Sequence, residues 1–104
     1  MKDHAYLELT LENITGDVID ETAIVFGKNS STFGILGGKG SAVYLGWQYP
    51  VGTNALVRWR DSGKNKRETK VDLSGIYDRA APGNLTFTIG ATNVTVRFEK
   101  LDRK

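Results

Sequence analysis

The sequence predicts an all-β fold, a single-domain antiparallel β-sandwich of seven or eight short strands spanning residues 1–104. Three observations carry this. Apolar residues recur with period two through most of the chain, as half-buried strands require. Gly, Asn, Asp and Ser clusters interrupt those runs at short intervals, as turns require. No stretch has the 3.6-residue apolar period of a convincing helix. At 104 residues the chain is long enough for one domain with a modest core.

The elements follow in order. "AYLELTLEN" alternates strictly, with Leu7, Leu9 and Leu11 on one face and Tyr6, Glu8, Thr10 and Glu12 on the other. "NITGD" then turns the chain through Asn13 and Gly16. "VIDETAIVFG" is apolar on both faces from Ala23 to Phe26, which predicts burial on two sides or a bulge. Residues 27–40 hold five glycines, and only Phe33–Leu36 has strand character there. "SAVYLGWQYPV", "NALVRWRD", "KRETKVDL", "NLTFTIG" and "NVTVRFEK" complete the set. "GIYDRAA" is predicted as one helical turn.

Parity fixes one hairpin. Val57 and Trp59 must share a face with Val71 and Leu73. A two-residue turn at Ser62–Gly63 breaks that agreement, because side chains alternate with period two. A three-residue loop, Ser62-Gly63-Lys64, restores it. This predicts Asp61 opposite Asn65, Trp59 opposite Arg67, Ala55 opposite Val71 and Arg58 opposite Glu68, with one loop residue in the left-handed region.

Parity also addresses the aromatic stretch "VYLGWQYP". One regular strand places Val43, Leu45, Trp47, Tyr49 and Val51 together in a core-facing row. A bulge at Gly46 would instead turn Trp47 and Tyr49 outward. Trp59 is expected in the core, its flanking Arg58 and Arg60 stems covering the outer face.

Composition excludes several chemistries. The chain has no cysteine, hence neither disulfides nor thiolate metal sites. His4 is the single histidine and is placed at a frayed end, so a histidine-based hydrolytic triad has no base. "GILGGKGS" departs from the phosphate-loop spacing and opens no helix; its glycines are assigned to a turn. Asp17, Asp20 and Glu21 lack calcium-loop spacing, and Asp20 and Glu21 would point to opposite faces of a strand. Four N-x-[ST] sequons, at Asn13, Asn29, Asn84 and Asn93, are explained by the turns and strand edges that use Asn and Thr. No catalytic residue, metal ligand or cofactor-binding residue is assigned, and no cofactor is expected.

Net charge is only +2, but it is unevenly spread. Asp3, Glu8, Glu12, Asp17, Asp20 and Glu21 crowd the first quarter, and Arg58, Arg60, Lys64, Lys66, Arg67 and Lys70 crowd a later segment. Two readings apply: the segments attract each other across the fold, or the basic one marks a binding face. No apolar run is long enough to span a membrane.

The ordered features "LENITGDVIDETAIVFG", "GILGGKGSAVYLGW", "ALVRWRDSGKNKRETKVDL", "NLTFTIG" and "VTVRFEK" resemble small bacterial exported or lipid-anchored proteins with an immunoglobulin-like sandwich. The resemblance runs from Leu11 to Phe98. It implies a periplasmic or extracellular location; a cytoplasmic one stays open, since neither a leader nor a lipid-bearing cysteine is present.

The expectation is a non-enzymatic protein-binding module of the bacterial cell envelope, similar to an immunity protein or an assembly subunit. Arg58, Arg60, Lys64, Lys66 and Arg67 would meet an acidic partner surface. A carbohydrate-binding module using Tyr44, Trp47 and Tyr49 is the first alternative. A single-stranded nucleic-acid-binding, OB-like barrel is the second.

Overall fold

The computed structural model describes residues 4–101. Asp3, counted in the charge asymmetry, lies outside the described residues. Eight strands form two four-stranded sheets, with no helix among the described residues. They are β1 (Leu7–Asn13), β2 (Ile19–Phe26), β3 (Asn29–Leu36), β4 (Ser41–Leu45), β5 (Asn54–Arg60), β6 (Lys66–Asp72), β7 (Gly83–Ile89) and β8 (Val94–Lys100). One sheet has the order β4-β1-β7-β8, the other β3-β2-β5-β6.

The leucine alternation of β1 is realised in full. Leu7, Leu9 and Leu11 are wholly buried, meeting Leu85, Phe87 and Ile89 of β7 and, from the other sheet, Ile24, Phe26 and Val57. Outside, a polar ladder crosses the sheet. Asn84 donates to Thr10 Oγ1 at 2.9 Å, and Thr88 Oγ1 donates to Glu12 Oε1 at 2.9 Å.

One pairing departs from the antiparallel expectation: β1 and β7 run parallel, from Leu7 beside Gly83 to Asn13 beside Ile89. A period-two pattern reads the same in either direction, so alternation carries no information on strand polarity. Residues 73–82 return the chain to the end where β1 begins, and β7 starts beside it. Flanked by β1 and β8, β7 is central and buried on both faces, Thr86 and Thr88 included. The two-layer architecture is that of a β-sandwich, but constant-type immunoglobulin domains order their strands 1-2-5-4 and 3-6-7. The order here is different.

The predicted hairpin register is the observed one: Trp59 pairs with Arg67, Ala55 with Val71 and Arg58 with Glu68. Lys64 N–H donates to the Asp61 carbonyl at 2.9 Å, and Lys64 takes the left-handed conformation at φ 70°. "GIYDRAA" forms two short turns, one in which the N–H groups of Ile76 and Tyr77 both donate to the Leu73 carbonyl and one in which Ala81 N–H donates to the Asp78 carbonyl at 3.2 Å.

Several expectations are corrected. The glycine-rich segment contributes a full eight-residue strand, β3, rather than four residues; polar Asn29–Thr32 pair with β2 through a two-residue turn at Gly27–Lys28. β4 stops at Leu45, and its core face is Ala42 and Tyr44, opposite Leu11 and Leu9. Val43 and Leu45 point outward and Tyr49 is exposed, so of the expected core-facing row only Trp47 and Val51 reach the core. His4 is buried rather than frayed, with Nε2 2.9 Å from the Tyr49 carbonyl oxygen and Nδ1 2.8 Å from that of Ala5.

Glycine explains two of these local paths. Gly46 adopts φ 75°, a conformation that side-chain-bearing residues rarely hold. Trp47 N–H then donates to the Leu7 carbonyl, beyond the end of the regular ladder. Gly38 approaches Gly16 so closely that a Cβ would sit 2.6 Å from the Gly16 carbonyl oxygen. The glycine run thus serves close packing of two loops, as the failed phosphate-loop spacing implied.

Candidate functional site

Three surfaces carry the residues singled out by sequence: the aromatic stretch, the basic hairpin, and the sandwich end where the loops meet.

In the aromatic stretch, Gly46 does reverse the parity, but from the opposite starting face. The residues before it on the outer face are Val43 and Leu45, so the reversal carries Trp47 inward. Its indole is 3% exposed, against Phe26 at 5.3 Å between ring centroids and between Tyr44 and Tyr49 at 5.5 and 5.2 Å. The structure therefore brings Tyr44, Trp47 and Tyr49 together edge to face. It leaves only the tyrosines accessible, which removes Trp47 as a stacking platform. Its Nε1 meets no acceptor among the described residues.

The basic hairpin is divided by strand parity. Arg58, Arg60 and Lys66 lie on the outer face of β5 and β6, whereas Arg67 lies on the inner face opposite Trp59. The arginines already hold carboxylates. Arg60 clamps Asp20 with two bonds, Nε to Oδ1 at 2.8 Å and Nη2 to Oδ2 at 2.7 Å. Arg58 lies 3.3 Å from Glu68, and Arg67 Nε donates to Asp61 at 2.9 Å. The arginine hydrogen bond is the main force holding the Asp20 carboxyl below the usual carboxylate range. Lys64 and Lys66 form no ion pair among the described residues. A depression of about 640 Å³ lies against Arg58, Lys66 and Glu68.

A bulge in β2 makes the Arg60 cluster. The pairing of β2 shifts between Asp20 and Ala23, and Glu21 takes φ 50°. This overturns the expectation that Asp20 and Glu21 face opposite ways: both reach Arg60, Glu21 at 3.5 Å. The described residues contain no group of His, Cys, Asp and Glu side chains arranged to hold a metal ion. The acidic and basic segments do attract each other across the fold, through Asp20 and Arg60.

At the end of the sandwich where β1 finishes, Asn13 is the hub. It is buried, and its Nδ2 donates to the carbonyls of Asp17 and Gly37, both at 2.7 Å. Its Oδ1 accepts from Thr15 N–H at 3.0 Å and Thr15 Oγ1 at 2.7 Å. The sequon at Asn13 is thus a loop clasp whose amide is fully engaged.

Beside this clasp the two sheets part and leave a cleft of about 410 Å³. The β1–β2 loop, the β5–β6 hairpin, the inner edge of β6 and the Gly90–Asn93 loop line it. Trp59 forms part of its wall and is only half-buried, packing against the core from one side. Trp47 is the more deeply buried of the two indoles, because Trp59 is the last inward residue before β5 leaves the sandwich. Sequence reasoning missed this cleft, since its lining comes from loops distant in the chain.

The described residues include no helix long and apolar enough to cross a membrane. No family model and no curated protein matches the chain. A solved structure is similar in fold: the NMR structure of a protein from Eubacterium rectale, with a TM-score of 0.61 at 12% identity, covering 95% of this chain and 91% of that one.

Proposed function

We propose that the chain is a non-enzymatic module that binds another protein, and that its contact surface is the flank formed by β3 and β4. The observation that carries this is a difference among the four sheet edges. Edge strands expose unpaired backbone groups, and proteins guard them with charge. β6 and β8 are guarded, by Lys66, Glu68 and Lys70 and by Arg97, Glu99 and Lys100. β3 and β4 contain no charged residue and lie on the same side of the sandwich. That side exposes Ile35, Val43 and Leu45 at 72, 52 and 66%, with Tyr44 and Tyr49 beside them. An unguarded apolar edge is what an added partner strand recognises: backbone hydrogen bonds supply affinity and alternate side chains supply register.

The basic hairpin enters this reading as a secondary surface. With Arg58, Arg60 and Arg67 engaged inside the molecule, Lys64 and Lys66 remain to steer an acidic partner. Placement in the bacterial cell envelope, and grouping with immunoglobulin-like sandwiches by architecture, belong to the same proposal. The sequence resemblance and the two packed layers support them.

The test is site-specific photocrosslinking in the source cell with the reactive group at Val43, beside a second chain carrying it at Lys66. A protein adduct from Val43 that disappears with Leu45→Lys is expected. An adduct only from Lys66, lost with Lys64→Glu, would move the contact to the basic hairpin. No adduct from either position overturns the proposal.

A further inference from the structure

We infer that the cleft at the loop end is a second binding site, and that its ligand is a neutral saccharide. The cleft lies on the side of β6 and β8, away from the β3–β4 flank, so the two surfaces are separate. Its volume is in the range of small-ligand sites.

The chemistry of its lining selects the ligand class. Trp59 supplies an aromatic face at the wall. Around it stand six uncharged hydrogen-bonding side chains: Thr15, Ser62, Asn65, Thr69, Thr92 and Asn93. Among the described residues no lysine lines it, and one guanidinium, Arg67, does so and is held by Asp61. The lining carboxylates outnumber that cation, so a phosphate or carboxylate ligand meets the wrong sign. The carboxylates in turn are satisfied: Asp61 by Arg67 and the N–H groups of Gly63 and Asn65, Glu68 by Arg58. Of the lining carboxylates Asp17 alone forms no ion pair among the described residues, too little to select a cation.

What remains is an apolar plate ringed by hydroxyls and amides that both donate and accept. A pyranose has the matching form. Its axial C–H groups present a weakly positive apolar face, which suits the negative face of an indole ring. Its hydroxyls, spread around the rim, donate and accept in turn. The site is also pre-organised. Asp61 locks the hairpin loop with three bonds, and the Gly90–Asn93 loop closes with a Gly90 N–H to Asn93 carbonyl bond of 2.8 Å. Little ordering entropy is left to be lost on binding.

The experiment is amide and side-chain NMR of the full chain titrated with cellohexaose, xylohexaose, maltohexaose and chitohexaose, and separately with spermine and inorganic phosphate. Saturable shifts with at least one oligosaccharide are expected at the Trp59 indole N–H and the Asn65 and Asn93 amides. Trp59→Ala should weaken that binding roughly tenfold or more, about 1.4 kcal/mol. Asn93→Ala, a loop change that leaves the core untouched, should weaken it several-fold with an unchanged melting temperature. Leu45→Lys should leave it intact, which separates this site from the protein-binding flank. The inference is overturned if no oligosaccharide shifts these signals at millimolar concentration. It is equally overturned if shifts map to Val43–Tyr49, if Trp59→Ala binds as the native chain does, or if spermine or phosphate alone occupies the cleft.

Discussion

Replacing each tryptophan by alanine tests the packing most directly, because the two indoles occupy opposite situations. Trp47 is 3% exposed and wedged among Phe26, Tyr44 and Tyr49. Burying an indole removes roughly 150–250 Å² from water, about 4–6 kcal/mol as an upper estimate. Truncation to alanine leaves a cavity that neighbours close only in part, and such changes cost about 3–5 kcal/mol. Against a total stability on the order of 5–15 kcal/mol, Trp47→Ala should lower the melting temperature by roughly 15–25 °C. Trp59 is half-buried and opens onto the cleft, so its truncation enlarges a wet groove rather than creating a void. Trp59→Ala should cost about 1–2 kcal/mol. Thermal unfolding followed by far-ultraviolet circular dichroism on both variants gives the comparison. Equal losses, or a larger loss at Trp59, would refute the deeper burial of Trp47 and the parity reversal at Gly46 that produces it.

Two further outcomes follow from the loops and the carboxylates. Asn13→Ala strands the Asp17 and Gly37 carbonyls and should cost about 2–4 kcal/mol, read as a lower urea midpoint with an unchanged slope; a cost under about 1 kcal/mol would contradict the hub role. Acid should destabilise the fold through Asp20, Asp61 and Asp72, all held below the ordinary value of 3.8. Their causes are, in order, the Arg60 hydrogen bond, the Asn65 backbone N–H followed by Arg67, and the Ser74 backbone N–H. A carboxyl depressed in the native state stabilises above its unfolded value, and that contribution disappears as pH falls through the native one. Stability should therefore hold at neutral pH and decline below about pH 4, and Asp20→Asn should flatten that decline.

Residue pattern alone determined what is local. The strand identity of β1, the three-residue loop at Ser62–Lys64 and the pairing of Arg58 with Glu68 all follow from alternation and turn chemistry, which depend only on near neighbours. The apolar run Ala23–Phe26 left burial on two sides and a bulge equally open; the run itself pairs regularly and is largely buried, and the bulge lies just before it, between Asp20 and Ala23. The tertiary structure decided everything that depends on which strand lies beside which. Polarity is invisible to a two-residue period, so the parallel β1–β7 pair could not be read. Which face of β4 meets the core is set by Leu9 and Leu11 across the ladder, so a correct suspicion about Gly46 was joined to the wrong starting face. The unguarded flank exists because two uncharged edges of different sheets stack on one side. The cleft exists because three loops, distant along the chain, converge at one end beside the edge of β6. Alternation tells a strand that it has two faces; only its neighbours determine which of them is the inside.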